Sequence, residues 1–327
     1  MAGTCDTELI LGHKCVAHEA HHAQVFRLLV QDLEGLLAVE TLADHLSALA
    51  DAVLAVTMEV CWSRLATRHR DTPRFAVIGY GKLGGKELGY ASDLDIIFLY
   101  DDEAPEAPET YAKLAIRLNT WISSATPAGI LFQTDLRLRP NGEAGLLVSS
   151  LEAFRQYQTE SAWVWEHQAL TRARFSAGDA GIGRAFEAIR TAVLRQPRQL
   201  DALKREVIAM REKMADAHAN RSNLFDVKHD RGGLIDVEFI VQFLVLGHSH
   251  THAELTGNLG NLALLKIAAG LGLIPAELAE RVREAYRRYR KLQHALRLND
   301  ARYARVERDS VAAEIGSVQA LWEKVFG

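Results

Sequence analysis

What this chain has little of narrows its reading before any motif is considered. Cysteine accounts for 3 of 327 residues, and the spacing of Cys5, Cys15 and Cys61 fits neither a disulfide framework nor a Cys/His zinc site. A reduced, intracellular protein is therefore expected. The amino terminus, MAGTCDTELILGHKCVAHEA, lacks the basic start and apolar centre of a secretory signal. No apolar run is seen that reaches the roughly 18 residues of a membrane span, so the expected location is the cytoplasm, with no membrane partner. Charge of one sign is also missing: 38 Lys and Arg stand against 42 Asp and Glu, a net charge of -4. A general nucleic-acid binder would carry a basic domain, so nucleic acid is not expected as a partner.

The chain does have enough apolar residues, 48%, to fill a core, and its 24% of charged residues is ordinary for a globular protein. Its length allows two domains. From Val25 to Arg64, apolar positions recur at three and four residues, as at Leu42, Leu46, Leu49, Val53 and Val56, which predicts helix. The polar stretch before Ala20 reads as an added or frayed end, and His13, His18, His21 and His22 as an exposed, incidental cluster. Beyond Pro73 the pattern changes. FAVIGYG and LDIIFLY read as strands, YAKLAIRLNTWISSA as an amphipathic helix, and the alternation from Leu131 to Arg139 as a further strand. PNGEAG is expected to turn that strand back on GLLVS as a hairpin. From Leu151 onward the strand signal disappears, and helices are expected at about 151–170, 181–195, 199–217, 234–248, 259–270 and 276–298. The expected organisation is a helical lead over 1–72, a catalytic module over 73–180 and a helical bundle over 181–327.

The chemistry concentrates in GYGKLGGKELGYASDLDIIF, residues 79–98. Residues two apart on a strand share a face, so Asp93 and Asp95 project together while Leu94 packs behind them. Two neighbouring carboxylates repel and lose solvation unless a cation relieves them, and hard oxygen donors suit Mg2+. The plainer alternative has Asp93 ending the loop as a cap and Asp95 facing solvent at a sheet edge. Gly84 and Gly85, ahead of the pair, permit a turn whose amides face a phosphate, with Lys82 or Lys86 adding charge. The Walker pattern and the dinucleotide-fold glycine pattern are both absent. Asp135, on the next expected strand, could supply a third carboxylate opposite Asp93 and Asp95. Arg137 and Arg139 share its parity and could meet phosphates or form a surface ladder of ion pairs. Trp163 and Trp165, beside Glu166 and His167, could close over a base or pack into a core or between domains, and packing is the expected role. Arg172 and Arg174 could join the site or cap a helix end. Lys228, Asp236 and Glu238 could form an interdomain salt bridge or a substrate-side lid, or approach a nucleotide directly.

With these blocks in hand, the chain resembles a known family. GYGKLGGKELGYASDLDIIFLYDD and TDLRLRPNGEAGLLVS are similar to the carboxy-terminal adenylylating module of glutamine-synthetase adenylyltransferase, a member of the DNA polymerase beta-like nucleotidyltransferase superfamily. YQTESAWVWEHQALTRAR, VKHDRGGLIDVEFIVQFLVLGH and the GNLGNLALLKIAAGLGLI region extend the resemblance from about Val25 to the end. It implies an α+β fold, a polymerase-beta-like core with a helical amino-terminal lead and a carboxy-terminal helical bundle. It implies Asp93, Asp95 and Asp135 as metal-binding and catalytic residues, with Mg2+ or Mn2+ as the ion. Gly84 and Gly85 match the triphosphate turn, and Lys82, Arg137, Arg139 and Lys228 are the further expected nucleotide contacts. ATP is the implied donor and a tyrosine hydroxyl of glutamine synthetase the acceptor, with pyrophosphate released. The longer family enzyme also removes AMP and answers to the PII signalling protein. With one Gly-Gly/Asp-x-Asp constellation here, removal and full regulation are expected to be absent. Two other readings compete: a uridylyltransferase acting on a signalling protein, and an inactive adaptor.

Overall fold

The computed structural model describes the backbone of residues 3–327 and the side chains of residues 15–327. Cys5 and His13 lie outside the described side chains. The chain divides into two compact units, Met1–Tyr157 with Ala173–Ala188, and Gln158–Arg172 with Ile189–Gly327.

In the first unit the expected helix from Val25 is two helices, α1 (Gly3–Leu33) and α2 (Val39–Ser63). Gly35 breaks them apart by taking φ +68, a left-handed turn that favours glycine. The polar start is therefore helical, and His18 is buried rather than exposed. His21 packs edge-on against Phe132 at 4.9 Å. Burial, then the charges of His22 and His18, lower its pKa to about 4. The buried stripe of α2 runs through Leu42, Leu46, Ala50, Leu54, Met58 and Cys61, while Val56 is 54% exposed. Contrary to expectation, α2 is long and apolar enough to cross a membrane by length and composition. Its buried stripe belongs instead to the core beneath the sheet, with Phe75, Leu94, Phe98 and Leu114.

That sheet carries β1 (Phe75–Gly79), β2 (Leu94–Tyr100), β3 (Thr134–Asp135), β4 (Val148–Ser150) and β5 (Arg174–Gly178). Its order is β3-β2-β1-β5, with β4 also paired to β2. β1 is antiparallel to β2 and to β5, whereas β3 and β4 both run parallel to β2. The expected hairpin does not form. The chain leaves β2, crosses through helix α4 (Ala107–Ser123) and so returns parallel, pairs as β3, loops out over 136–147 and rejoins the same edge as β4. Strand structure in the 131–139 stretch is thereby confined to two residues. They are held by Leu94 N–H donating to Gln133 O at 2.8 Å and by Thr134 Oγ1 donating to Asn119 Oδ1 at 2.6 Å. β5 overturns the expectation that strands end before residue 151. RFSAG has too little apolar alternation to announce a strand, and pairing with β1 makes it one.

The second unit is mainly helical. It includes α6 (Val164–Leu170), while most of α5 (Leu151–Glu160) and of α7 (Ala180–Leu194) belongs to the first unit. The bundle continues through α8 (Leu200–Ala217), α9 (Leu234–His248), α10 (Asn261–Gly270), α11 (Ala276–Leu298) and α12 (Ala312–Phe326). Two short strands, β6 (Phe225–Asp226) and β7 (Arg305–Val306), pair antiparallel among them. α9 is buried on nearly every side, which explains the continuous apolar run VEFIVQFLVLG. The basic face of α11 is laced with ion pairs along its own length, Arg281 to Glu277 at 3.8 Å and Arg287 to Glu280 at 3.9 Å.

The far end of β2 is fixed by Asp102. Its buried carboxylate accepts from Tyr111 Oη at 2.7 Å, His69 Nε2 at 2.8 Å and Ala104 N at 3.2 Å, with Arg70 Nε at 3.1 Å. Burial alone would raise its pKa, but these hydrogen bonds and the Arg70 charge outweigh it and take the value from 3.8 to about 2. A carboxylate with a depressed folded pKa adds stability above its ordinary value and loses it as pH falls toward the folded one. Asp102→Asn should therefore flatten the loss of melting temperature between about pH 4 and pH 2 relative to the unsubstituted chain, as followed by circular dichroism. Parallel acid profiles for the two would contradict this.

Candidate active site

The register of β2 and β3 sets Asp95 directly beside Asp135. In-register residues on neighbouring strands face the same way, so the two half-buried carboxylates lie on one face of the sheet. Behind Asp95, Leu94 and Ile96 are fully buried. Asp93 sits just ahead of β2, in the approach loop, and is exposed. Like charges at paired positions destabilise a sheet unless something neutralises them. Here Arg137 supplies the cation: its Nε donates to Asp135 Oδ1 at 3.0 Å and Oδ2 at 2.9 Å, and its backbone N–H to Oδ1 at 2.8 Å. The Arg137 hydrogen bond, against the opposing effect of burial, holds the Asp135 carboxyl below the usual carboxylate range. Arg137 is in turn held protonated by Asp135, with Asp95 adding to the same field.

Among the described residues, no three His, Cys, Asp or Glu side chains already stand together as a metal cluster. The donor set nevertheless fits a magnesium ion. Mg2+ keeps much of its water and is commonly held by one or two carboxylates together with substrate phosphates, so it needs no dense protein cage. Asp95 and Asp135 offer hard oxygens on one face, and Arg137 already marks that face as one that attracts a cation.

The turn in front of β2 is α3 (Gly81–Gly84). Tyr80 N–H donates to Asp95 O at 2.7 Å, tying the start of α3 to the residue that carries the carboxylate. Gly81 takes φ +55, and a Cβ there would lie 2.2 Å from Asp95 Oδ2. Glycine at this position is thus required twice, for the backbone angle and for the space the carboxylate occupies. Gly84 and Gly85 are buried, and their N–H groups donate to Tyr80 O at 2.9 Å and Gly81 O at 3.0 Å, closing the turn. The left-handed residues that follow are Lys86 at φ 53 and Ala91 at φ 50, neither of them glycine. Each carries backbone strain of about 1–3 kcal/mol. Lys82 Nζ reaches Ser92 Oγ at 3.5 Å across this loop.

The other expected residues make hydrogen bonds of their own. Arg139 donates to three backbone carbonyls, Leu136 at 2.7 Å, Glu143 at 3.0 Å and Gly145 at 3.2 Å, and so staples the 136–147 excursion. Gly145 is needed in that loop because a Cβ would lie 1.8 Å from Pro140 O. Lys228 belongs to the second unit, where its N–H donates to Asp226 Oδ1 at 3.0 Å. Nearby, Asp236 pairs with buried Arg211 at 2.5 Å and accepts from Gly232 N at 2.6 Å. Glu238 pairs with Arg172 at 2.9 Å. Removing one partner of such a buried pair costs about 3–5 kcal/mol, which assigns these side chains to the packing of the second unit. Glu166 caps α6 by accepting from Trp163 N at 2.9 Å, and His167 Nε2 meets Gln158 O at 2.9 Å. Burial lowers the His167 pKa. Trp163 is 69% exposed and Trp165 38%, so neither packs into a core.

A small mixed sheet with neighbouring carboxylates on one face, approached by a glycine turn, is the core of the polymerase-beta-like nucleotidyltransferases. Residues 14–189 match the family model described as glutamate-ammonia ligase adenylyltransferase, and the chain belongs to that family. A second model, described as GlnD PII-uridylyltransferase, matches residues 201–315. The chain is 67% identical over 312 residues to the bifunctional glutamine synthetase adenylyltransferase/adenylyl-removing enzyme of Aromatoleum aromaticum, covering 95% of this chain and 33% of that protein. It is 60% identical over 314 residues to the protein of the same description in Burkholderia pseudomallei, covering 94% and 34%. Against that of Nitrosomonas europaea it is 56% identical over 326 residues, covering 95% and 35%. The chain thus spans about a third of the length of the curated relatives it matches.

The contact between Gly81 and Asp95 generates a direct test. Gly81→Ala should lower unfolding stability by about 1–3 kcal/mol in urea denaturation, from strained φ and displacement of the Asp95 carboxylate. Stability equal to that of the unsubstituted chain would contradict the close approach.

Proposed function

We propose that the chain transfers AMP from ATP to a tyrosine hydroxyl of glutamine synthetase, in the cytoplasm, with release of pyrophosphate. The single observation that carries this reading is the pairing of Asp95 with Asp135 beside the α3 turn. Family membership supports the substrate class, and the relatives' own description names glutamine synthetase.

In this reading Asp93, Asp95 and Asp135 hold Mg2+, for which Mn2+ can substitute because it accepts similar oxygen ligands. The bound ion supplies positive charge that lowers the pKa of the attacking hydroxyl and stabilises the phosphates. The α3 turn, with Lys82, Gly84 and Gly85, receives the triphosphate. Asp135 accepts the tyrosine proton, and the tyrosine oxygen bonds to the alpha-phosphorus as the bond to the pyrophosphate oxygen breaks. Arg137, released from Asp135, turns to the phosphates, where a planar guanidinium binds oxygen pairs well. Arg139 acts at one remove, by holding the loop that carries Arg137.

Transfer of AMP is assigned to the constellation of Gly84, Gly85, Asp93 and Asp95. Response to the PII signalling protein is assigned to the longer enzyme. The match of residues 201–315 to a uridylyltransferase model favours a second reading, transfer of UMP. That match falls in the second unit, apart from the strands that carry Asp95 and Asp135, so ATP is kept as the donor.

Incubation with purified glutamine synthetase, Mg2+ and alpha-labelled ATP or UTP, followed by peptide mapping, tests donor and acceptor together. Label from ATP on a tyrosine is expected, and Asp93→Asn and Asp95→Asn should each lower it by roughly 100-fold or more with little change in melting temperature. Full labelling by either variant would overturn the assignment, and label from UTP alone would replace the donor.

A further inference from the structure

We infer that Arg174, locked by Asp51, is a positioning residue that fixes the α3 turn for nucleotide binding; the inference rests on the reading of α3 as the triphosphate turn. α3 has four residues, too few to be stable as a helix by itself, so its place must be set from outside. Two of its ties come from the strands beside it: Tyr80 N–H to Asp95 O, and Leu83, whose side chain fills the space that a Cβ on Gly79 would take, 2.9 Å away. The third is Arg174. It opens β5, pairs in register with Gly79, and is buried at 6% exposure. Its Nε donates to Leu83 O, in α3 itself, at 3.1 Å.

The rest of the guanidinium is committed so that Nε can aim only there. Nη2 donates to Asp51 Oδ1 at 3.0 Å, Nη1 lies 2.9 Å from Asp51 Oδ2, and Nη1 also donates to Phe175 O at 3.1 Å. Ser176 Oγ donates to the same Asp51 carboxylate. A bidentate carboxylate sets the plane of the guanidinium, which sets the direction of the remaining N–H. Leu83 O also accepts from Lys86 N at 3.2 Å, so Arg174 joins the hydrogen bonds that close the turn. Asp51 lies on α2 and Arg174 on β5, so helix and edge strand converge on one carbonyl of the turn. Neither side chain is needed to touch the nucleotide. Their effect passes through Leu83 O to the backbone that carries Lys82, Gly84 and Gly85. Lysine at 174 has a single ammonium without the fixed fork and cannot hold Asp51 in two places while reaching Leu83 O.

The test compares Arg174→Lys, Asp51→Asn and Ser176→Ala with the unsubstituted chain, measuring Mg-ATP binding by calorimetry and the split of KM for ATP from kcat. Arg174→Lys and Asp51→Asn should weaken Mg-ATP binding and raise KM by about 10-fold or more, with a smaller fall in kcat. Asp51→Glu should recover part of the binding, and Ser176→Ala, the mildest change, should shift it in the same direction by less. A stably folded Arg174→Lys or Asp51→Asn whose Mg-ATP affinity and KM lie within twofold of the unsubstituted chain would overturn the inference. So would loss of kcat alone. Should those two variants not fold, an unchanged affinity in Ser176→Ala would overturn it. Failure of the unsubstituted chain to bind Mg-ATP would instead remove the nucleotide reading itself.

Discussion

Two carboxylates held opposite one another on parallel strands, Asp95 and Asp135, set the terms for the rest of the first unit. Nothing in the register allows them to separate, because Leu94 N–H is bonded to Gln133 O and Thr134 to Asn119, which pins a strand of only two residues. Their repulsion must be met by positive charge, and Arg137 meets it in this structure. A hard cation with its own water would meet it more fully, since two carboxylates offer several lone pairs and one guanidinium cannot serve all of them.

The surroundings follow from keeping those carboxylates in place. Gly81 leaves room for the Asp95 oxygen, and Asp102 gathers Tyr111, His69 and Arg70 at the other end of β2, so the strand is held at both ends. Acidic residues of the second unit contrast with this. Asp236 and Glu238 each have an arginine partner, and Asp226 accepts the N–H groups of Lys228 and His229. Their charges are spent on holding helices and turns, whereas Asp93 is left exposed at the mouth of β2.

Much of this was legible from residue order alone. The parity of Asp93 and Asp95, the later Asp135 and the intervening amphipathic helix pointed to carboxylates brought together on neighbouring strands, and Asp95 and Asp135 do meet in register. The helices after residue 180 followed from their apolar spacing. What could not be read depended on contacts distant in sequence. β5 is a strand because β1 lies beside it, not because RFSAG looks like one. The 136–147 excursion looked like a hairpin turn because PNG favours turns, but Arg139 binds its carbonyls and returns the chain to the same edge of β2. Gly84 and Gly85 drew attention as a pair, while the glycine that crowds a carboxylate is Gly81, which the repeated glycines of GYGKLGG hid. Arg174 and Asp51 stand 123 residues apart and share no local pattern.

The central claim is that the Asp95 and Asp135 face holds the divalent ion, and binding of Mn2+ followed by electron paramagnetic resonance, with and without a non-hydrolysable ATP analogue, tests it most directly. The unsubstituted chain should bind Mn2+ more tightly with the analogue present, and the double variant Asp95→Asn, Asp135→Asn should lose this binding while keeping its circular dichroism spectrum. Equal Mn2+ binding by the folded double variant would contradict it.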